Sequence, residues 1–230
     1  PKSVKVKTGA VVMIGPLTSD DKPILRAYSI CSPSWSEELE FYSIIVKDGP
    51  LTSKLKNIKI GDNIIMMPKS TGTLVLDALK PGKRLFLLSS GTGFAPFAAL
   101  IREPETYERF ESIIVTHTCR MVPELAYSES IIQECMNDEL VKEFIDNRLL
   151  SYHSTTRDDY IFNGRITELI SSGKLFSDLK INSILSHDRF MFCGSMGLNN
   201  DLKKIMMENN LHEGANNNPG EFVLEKAFVD

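Results

Sequence analysis

A glycine turn in the middle of the chain could bring main-chain atoms close to a ligand. The apolar run Leu85-Phe86-Leu87-Leu88-Ser89 leads into Ser90-Gly91-Thr92-Gly93-Phe94-Ala95-Pro96, where a helical pattern begins. The spacing GxGxxP differs from the GxGxxG fingerprint of dinucleotide-binding folds. Because glycine has no Cβ, backbone N–H groups in such a turn can approach a phosphate, and the turn is a candidate nucleotide site.

Arginines after later apolar runs could bind the phosphates of that nucleotide. Arg120 follows Thr116-His117-Thr118-Cys119, and Arg157 and Arg165 flank a loop and helix start after another run. The acidic residue that binds the ribose 2′-hydroxyl of NAD, about 20 residues after the glycines, is missing. A guanidinium there favours a 2′-phosphate, although an isolated arginine is more often solvated surface.

Cys193-Gly194-Ser195 ends a further apolar run. Gly194 would let a planar ligand approach the backbone closely. A buried cysteine at such a place is more often only packing.

The first half contains two motifs that suit a flat cofactor with a pyrophosphate. Arg26-Ala27-Tyr28-Ser29 has a strand pattern, and Gly49-Pro50-Leu51-Thr52-Ser53 opens a short amphipathic helix. Free N–H groups and hydroxyls at a helix start suit a pyrophosphate, to which Arg26 could add a bidentate contact. Tyr28 could offer its ring and Ser29 its hydroxyl, but any half-buried strand can contain this pair.

Other common kinds of site find no support in the sequence. The four cysteines are widely scattered without CxxC spacing, so neither a zinc site nor an iron-sulfur cluster is indicated. The histidines lack metal-ligand spacing, and there is no GxSxG nucleophile motif. We expect no metal, so that any redox chemistry would use an organic cofactor.

The hydrophobic pattern predicts the elements that position these groups. Turn residues separate short strands predicted at 10–17, 24–30, 39–47, 62–69 and 72–76, which favours a small antiparallel β-barrel. Later apolar strands alternate with helical stretches, which predicts an α/β doubly wound parallel sheet whose ligands bind beyond the carboxyl ends of its strands. We therefore predict two domains, a barrel over residues 1–80 and an α/β domain over 81–230.

Charge is divided unevenly along the chain. Residues 1–84 contain 13 basic and 8 acidic side chains, whereas residues 85–230 contain 13 basic and 22 acidic ones. The two halves would therefore meet different partners. No segment has the roughly 18 to 20 apolar residues of a membrane helix or the pattern of a signal peptide. We expect a cytoplasmic monomer that binds neither membrane nor nucleic acid.

Taken together and in this order, the motifs resemble those of the ferredoxin-NADP(H) reductase family. RAYS, FYSI, DGPLTS, GTGFAPF, THTCR, GRIT, CGS and EKAFV are similar to its bacterial members, over nearly the whole chain. The resemblance implies an FAD-binding barrel domain and an NADP-binding α/β domain. It also implies an FAD enzyme that exchanges electrons between NADPH, as a two-electron hydride, and ferredoxin or flavodoxin, in one-electron steps.

The resemblance further implies the roles of single residues. FAD would be held by Arg26, Ala27, Tyr28, Ser29, Tyr42, Pro50, Leu51, Thr52, Ser53, Thr92, Ala227 and Phe228. NADP would be held by Gly91, Gly93, Pro96, Arg120, Arg157, Arg165, Gly194 and Ser195. Ser29, near the flavin N5, Cys193 and Glu225 would be catalytic, with Glu225 relaying a proton or polarising the site. The C-terminal tail would return to the flavin, where Ala227 stands in place of the terminal tyrosine of plant-type members.

Two alternatives stay open. An enzyme of this fold could use another acceptor, as flavin, ferric-chelate and quinone reductases do. The chain could instead be a non-catalytic FAD- or nucleotide-binding module. For a carrier protein, we expect docking near the flavin edge on the basic first half, whose charge comes largely from Lys54, Lys56, Lys59, Lys69, Lys83 and Arg84.

Overall fold

The structure, a computed structural model, describes residues 7–17, 23–46, 48–139, 141–145 and 147–227. Its first part contains an antiparallel sheet in the order β2-β1-β3. The elements are β1 (Val11–Gly15), β2 (Arg26–Ser29), the short helix α1 (Thr52–Leu55) and β3 (Ile65–Met66). We call the described residues up to 80 the antiparallel domain and those after it the parallel domain.

The small sheet forms because alternate residues of β1 are buried. Val12 and Ile14 are buried and pack with Ile30, whereas Met13 between them is 37% exposed. This alternation is the period of a strand with one face on a core.

Two of the predicted strands are not formed in the described part of the chain. In the segment 39–47 only Phe41 makes an isolated bridge, to Ile30, and Ile44 and Ile45 are exposed. In the segment 72–76, Leu74 and Val75 pack in a core of the parallel domain instead. A short apolar run indicates burial but does not identify the surface that it packs against.

The second part is a five-stranded parallel sheet in the order β6-β5-β4-β7-β8. Its strands are β4 (Arg84–Ser90), β5 (Ser112–Cys119), β6 (Leu149–Thr155), β7 (Asp188–Gly194) and β8 (Phe222–Lys226). Its helices are α2 (Ala95–Leu100), α3 (Pro104–Arg109), α4 (Ala126–Asn137), α5 (Lys142–Ile145), α6 (Ile166–Ser171), α7 (Lys174–Leu179) and α8 (Met196–Glu208). The predicted two-domain class is confirmed, since an antiparallel unit precedes a parallel α/β sheet.

Both faces of the parallel sheet are covered. Along β4, Leu85 and Leu87 belong to one core, and Phe86 and Leu88 belong to the other. The chain order reverses beside β4, so a crevice opens at the carboxyl ends of β4 and its neighbours.

Two of the charges expected to dock a carrier protein are already engaged. Arg84 forms a 2.6 Å ion pair with the fully buried Asp188 and also donates to the carbonyl oxygens of Asn182 and Ser183. Lys83 pairs with Glu111 at 3.3 Å. Arg84 begins β4, at the edge of the sheet opposite the crevice. It therefore stabilises the parallel domain and does not contribute a free docking charge.

Candidate nucleotide site at the domain junction

A cavity of about 590 Å³ lies at the carboxyl ends of the central parallel strands. Parallel strands bring residues that are distant in sequence to one edge of the sheet. The wall of the cavity accordingly combines the following predicted site residues from both domains: Tyr42, Gly91, Thr92, Arg120, Arg165 and Ser195.

The glycine turn forms one side of this cavity. Gly91 has φ +53° and a Cβ there would meet no atom within 4 Å, so its main chain faces open space. Gly93 has the opposite environment, because a Cβ there would lie 2.0 Å from the carbonyl oxygen of Cys193. Pro96 is buried in α2. Gly91 and Thr92 therefore form the wall, while Gly93 and Pro96 pack behind it.

A buried histidine that the sequence reasoning missed holds the turn in place. The Nε2 of His117 lies 2.8 Å from the carbonyl oxygen of Gly91, and Nδ1 lies 2.7 Å from the Ser128 hydroxyl. Burial lowers the pKa of His117 to about 4, so the ring is neutral at pH 7. Since a carbonyl only accepts, we assign the proton to Nε2 and a hydrogen bond from Ser128 to Nδ1. His117 thus ties the turn to α4.

The arginines of the site lie on neighbouring segments. Arg120 and Arg165 line the cavity, and the backbone N–H of Arg157 donates to the carbonyl oxygen of Arg120 at 3.0 Å. Among the described residues, no hydrogen bond or ion pair engages the guanidinium of any of the three. Free guanidinium groups in one cavity suit an anionic ligand such as a phosphate.

The predicted catalytic residues Cys193 and Glu225 are direct neighbours in register on β7 and β8. The Cys193 thiol is 1% exposed, and burial raises its pKa. Burial also raises the pKa of Glu225, although its carboxylate accepts a hydrogen bond from the backbone N–H of Thr73. Glu225 therefore links β8 to the antiparallel domain.

The segments after these strands pack tightly. A Cβ on Gly194 would lie 2.4 Å from a Leu198 methyl group, and the Ser195 hydroxyl accepts from the Leu198 N–H as the N-cap of α8. The N–H of Ala227 donates to the Gly194 carbonyl oxygen at 2.9 Å. The tail thus follows the end of β7, and Phe228 lies outside the described residues.

The motif Arg26 to Ser29 forms β2, away from the cavity wall. Arg26 and Ala27 are exposed, and Tyr28 and Ser29 are half-buried. The Tyr28 hydroxyl lies 3.2 Å from that of Ser43. These side chains could meet a flat cofactor along the antiparallel domain.

The predicted pyrophosphate turn precedes and enters α1. Leu51 is buried, and the Thr52 hydroxyl bonds both the N–H and the carbonyl oxygen of Val46, at 3.1 and 3.2 Å. The Ser53 hydroxyl lies 3.5 Å from the carbonyl oxygen of Pro50. The turn is formed, but its hydroxyls and the Ser53 N–H already bond local backbone groups, and its binding of a pyrophosphate stays a prediction.

An aromatic stack joins the two domains beside the cavity. The rings of Tyr42 and Tyr127 are parallel, with centroids 4.3 Å apart. Tyr127 donates to one carboxylate oxygen of Glu40 at 2.7 Å, and Arg102 donates to the other at 2.7 Å. Tyr42 is thereby fixed on the wall of the cavity.

Other site chemistries find no residues in the described part of the chain. No group of histidine, cysteine, aspartate and glutamate there could hold a metal ion. The four cysteines are unpaired and buried. Over the same residues, no helix combines the length and apolar character needed to cross a membrane.

The neutral His117 predicts a loss of stability in acid. Its pKa is lowered from 6.5 to about 4 in the folded state, so the unfolded chain binds an extra proton as the pH falls through this window. The free energy of unfolding should then fall by roughly 3 kcal/mol between about pH 6.5 and pH 4. Urea unfolding at a series of pH values measures this.

The control for that measurement is His117→Gln. A glutamine amide can still donate toward Gly91 but does not titrate, so the variant should lack this component of the pH dependence. Other groups, such as Glu225, titrate in both proteins and cancel in the comparison. Parallel stability curves for the two proteins would contradict a neutral buried His117.

The chain is similar in sequence to proteins of known function. No family model matches the chain. It is 52% identical to the flavodoxin/ferredoxin–NADP reductase of Rhodobacter capsulatus, over 100% of this chain and 85% of the relative. It is 44% identical to the ferredoxin–NADP reductase of Pseudomonas aeruginosa, over 99% of this chain and 88% of the relative.

A solved structure agrees with this. A ferredoxin NADP⁺ reductase from Neisseria gonorrhoeae with bound FAD and NADP superposes with a TM-score of 0.87 at 25% identity, over 99% of this chain and 89% of that one. The relatives share sequence across both domains, and the solved structure shares the arrangement of antiparallel and parallel units. The chain belongs to the ferredoxin/flavodoxin–NADP reductase family.

Proposed function

We propose that the chain is an FAD-dependent oxidoreductase that exchanges electrons between NADPH and ferredoxin or flavodoxin. The named activities of its relatives and the FAD and NADP of the gonococcal structure support this. In the chain itself, the observation that carries the proposal is one cavity whose wall combines Arg120 and Arg165 with Tyr42 of the other domain, and neither guanidinium group has a partner among the described residues.

The residues on the cavity wall fit the nucleotide. Arg120 and Arg165 would bind the 2′-phosphate, with Arg157 on the adjoining segment. The open main chain at Gly91 and Thr92 would accept the pyrophosphate, because nothing there blocks close approach. Gly93, Pro96, Gly194 and Ser195 would support the site by packing and by capping α8.

The antiparallel domain offers groups that fit FAD. Arg26 and the turn from Pro50 to Ser53 would hold the pyrophosphate, and Tyr28 and Ser29 would contact the ring system. When bound, FAD supplies the exchange between the two-electron chemistry of NADPH and the one-electron chemistry of a carrier protein. The chain's own task is to hold the reacting rings in contact, since alignment removes much of the barrier.

Glu225 and Cys193 would act at the edge of that contact. The raised pKa of Glu225 lets its carboxyl group hold or release a proton closer to neutral pH. Its hydrogen bond from Thr73 fixes where that proton sits. Burial raises the pKa of Cys193 and keeps its thiol protonated, and the residue does not line the cavity, so it would support the site by packing and not act as a nucleophile.

We also infer that the protein works as a monomer in the cytoplasm. All four cysteines are unpaired, which suits a reducing compartment. Sedimentation of the purified protein measures the oligomeric state.

The proposed reaction predicts a specific set of acceptors. The purified protein should contain non-covalent FAD, NADPH should bleach it without oxygen, and ferredoxins or flavodoxins should re-oxidise it faster than quinones or ferric chelates. Colourless protein, or protein loaded with FMN, would contradict the cofactor. Faster turnover with a small acceptor would assign the chain to a different reductase of this fold.

We expect the substitution Arg120→Ala to lower catalytic efficiency with NADPH and not with NADH. A charge-assisted hydrogen bond contributes roughly 1.5 to 3 kcal/mol, so kcat/KM for NADPH should fall about 10- to 100-fold. Turnover with NADH should barely change, because NADH has no 2′-phosphate. Equal losses with both nucleotides would show that Arg120 has a structural role.

Docking on the antiparallel domain predicts a strong dependence on salt. Lys54, Lys56, Lys59 and Lys69 are exposed there, and ferredoxins and flavodoxins are typically acidic. The Debye length falls from about 10 Å at 0.1 M to about 3 Å at 1 M salt, so carrier reduction should slow steeply while reduction of a neutral quinone should not.

Charge reversal distinguishes docking on this surface from a general effect of the protein's net charge. Lys54→Glu with Lys56→Glu should slow carrier reduction at low salt and leave reduction of the flavin by NADPH intact. The matched control reverses Lys142 and Lys204, which are exposed on the parallel domain. Equal effects of the two double variants would show that the carrier does not dock on the antiparallel domain.

A further inference from the structure

Glu124 places a negative charge on the cavity wall beside Arg120. Both side chains line the cavity. The Glu124 carboxylate accepts hydrogen bonds from the backbone N–H groups of Arg120 at 2.9 Å and Met121 at 3.4 Å. Over the described residues, no ion pair neutralises this carboxylate. The residue thus combines an attractive contact to the Arg120 backbone with an uncompensated charge.

The charge of Glu124 reaches into the cavity. Burial and, next, the Glu124 charge raise the pKa of Cys119, to about 12. Burial, then the charges of Cys119 and Glu124, raise the pKa of Tyr42, which also lines the cavity. A phosphate placed at Arg120 would experience the same field, with the unfavourable sign of two like charges.

The hydrogen bonds of Glu124 also determine which hydrogen-bond donors are available to a phosphate. Backbone N–H groups are strong phosphate donors at such loops. Here the N–H groups of Arg120 and Met121 point to Glu124. These two N–H groups are therefore not free for a phosphate, and the donor that this loop offers to it is the Arg120 side chain.

We propose that Glu124 limits the preference of this site for 2′-phosphorylated nucleotides, by fixing the Arg120 loop while weakening the attraction of its guanidinium for the phosphate. This rests on the proposed use of NADPH. Glu124 is thus a specificity-determining residue that tunes the affinity downward, and it favours release of the oxidised nucleotide after each turnover.

Glu124→Gln separates the two effects of the side chain. The amide oxygen can still accept from the Arg120 N–H, so the loop should keep its shape. The charge is lost, and an amide N–H₂ group is gained beside the phosphate. The variant should bind 2′-phospho-AMP about 3- to 10-fold more tightly than the natural chain, with unchanged affinity for AMP.

The control variant is Glu129→Gln. Glu129 is also exposed, and its substitution by glutamine changes the net charge by the same amount. It contacts the Tyr160 hydroxyl at 2.8 Å and does not line the cavity. It should change the affinity for 2′-phospho-AMP less than 2-fold, as expected for a remote surface charge. The gain with Glu124→Gln should also shrink at 1 M salt.

Calorimetric titration of the FAD-loaded protein with 2′-phospho-AMP and AMP decides between these outcomes. Tighter binding of 2′-phospho-AMP by Glu124→Gln alone supports the proposal. An unchanged or weaker affinity, or an equal gain with Glu129→Gln, overturns it. If the natural chain binds the two ligands equally, the proposed preference for NADPH is wrong instead, and that result is visible before any variant is compared.

Discussion

The carboxylate of Glu40 holds the two domains in their relative position. It belongs to the antiparallel domain, and its two oxygens accept hydrogen bonds from Arg102 and Tyr127 of the parallel domain. Arg102 also donates to the carbonyl oxygen of Cys31 at 2.6 Å, so the guanidinium contacts the antiparallel domain twice. The Arg102 side chain is 12% exposed and that of Glu40 is 37% exposed, so removal of one partner should cost more than at a fully exposed ion pair.

The shape of the cavity depends on this junction. One wall comes from the carboxyl ends of parallel strands and the other from Tyr42, whose ring lies on that of Tyr127. Neighbouring contacts fix the same geometry, because Glu103 accepts from Thr8 and Ser34 of the antiparallel domain. A flavin and a nicotinamide held in this cavity would need a constant separation, since the contact distance between their rings controls the rate of electron exchange.

The sequence predicts the parts of the protein that depend on local pattern. The strands and main helices of the parallel domain follow from period and turn residues, and the motifs at strand ends meet because parallel strands share an edge. The convergence of Gly91, Arg120 and Arg165 was predictable for this reason.

The remaining features depend on pairs that are distant in sequence. His117 has no motif of its own, and only the fold brings it to Gly91. Arg84 was expected to be a docking charge because it belongs to the basic first half of the sequence. In the structure it is engaged by Asp188, 104 residues away. The segment 39–47 alternates like a strand but makes only one bridge over its described residues, 39–46, because pairing depends on a partner strand that a local pattern does not specify.

The burial of the cysteines has a consequence for the working life of the protein. Burial raises the pKa of Cys31, Cys119 and Cys135 to about 12 and raises that of Cys193 as well. Peroxide attacks thiolates and reacts slowly with protonated, inaccessible thiols. With FAD bound as proposed, two-electron reduction of oxygen by the reduced cofactor would supply peroxide beside the protein. With every thiol buried and protonated, this by-product would find no thiolate to oxidise, and its attack would fall instead on exposed methionines such as Met196 and Met207.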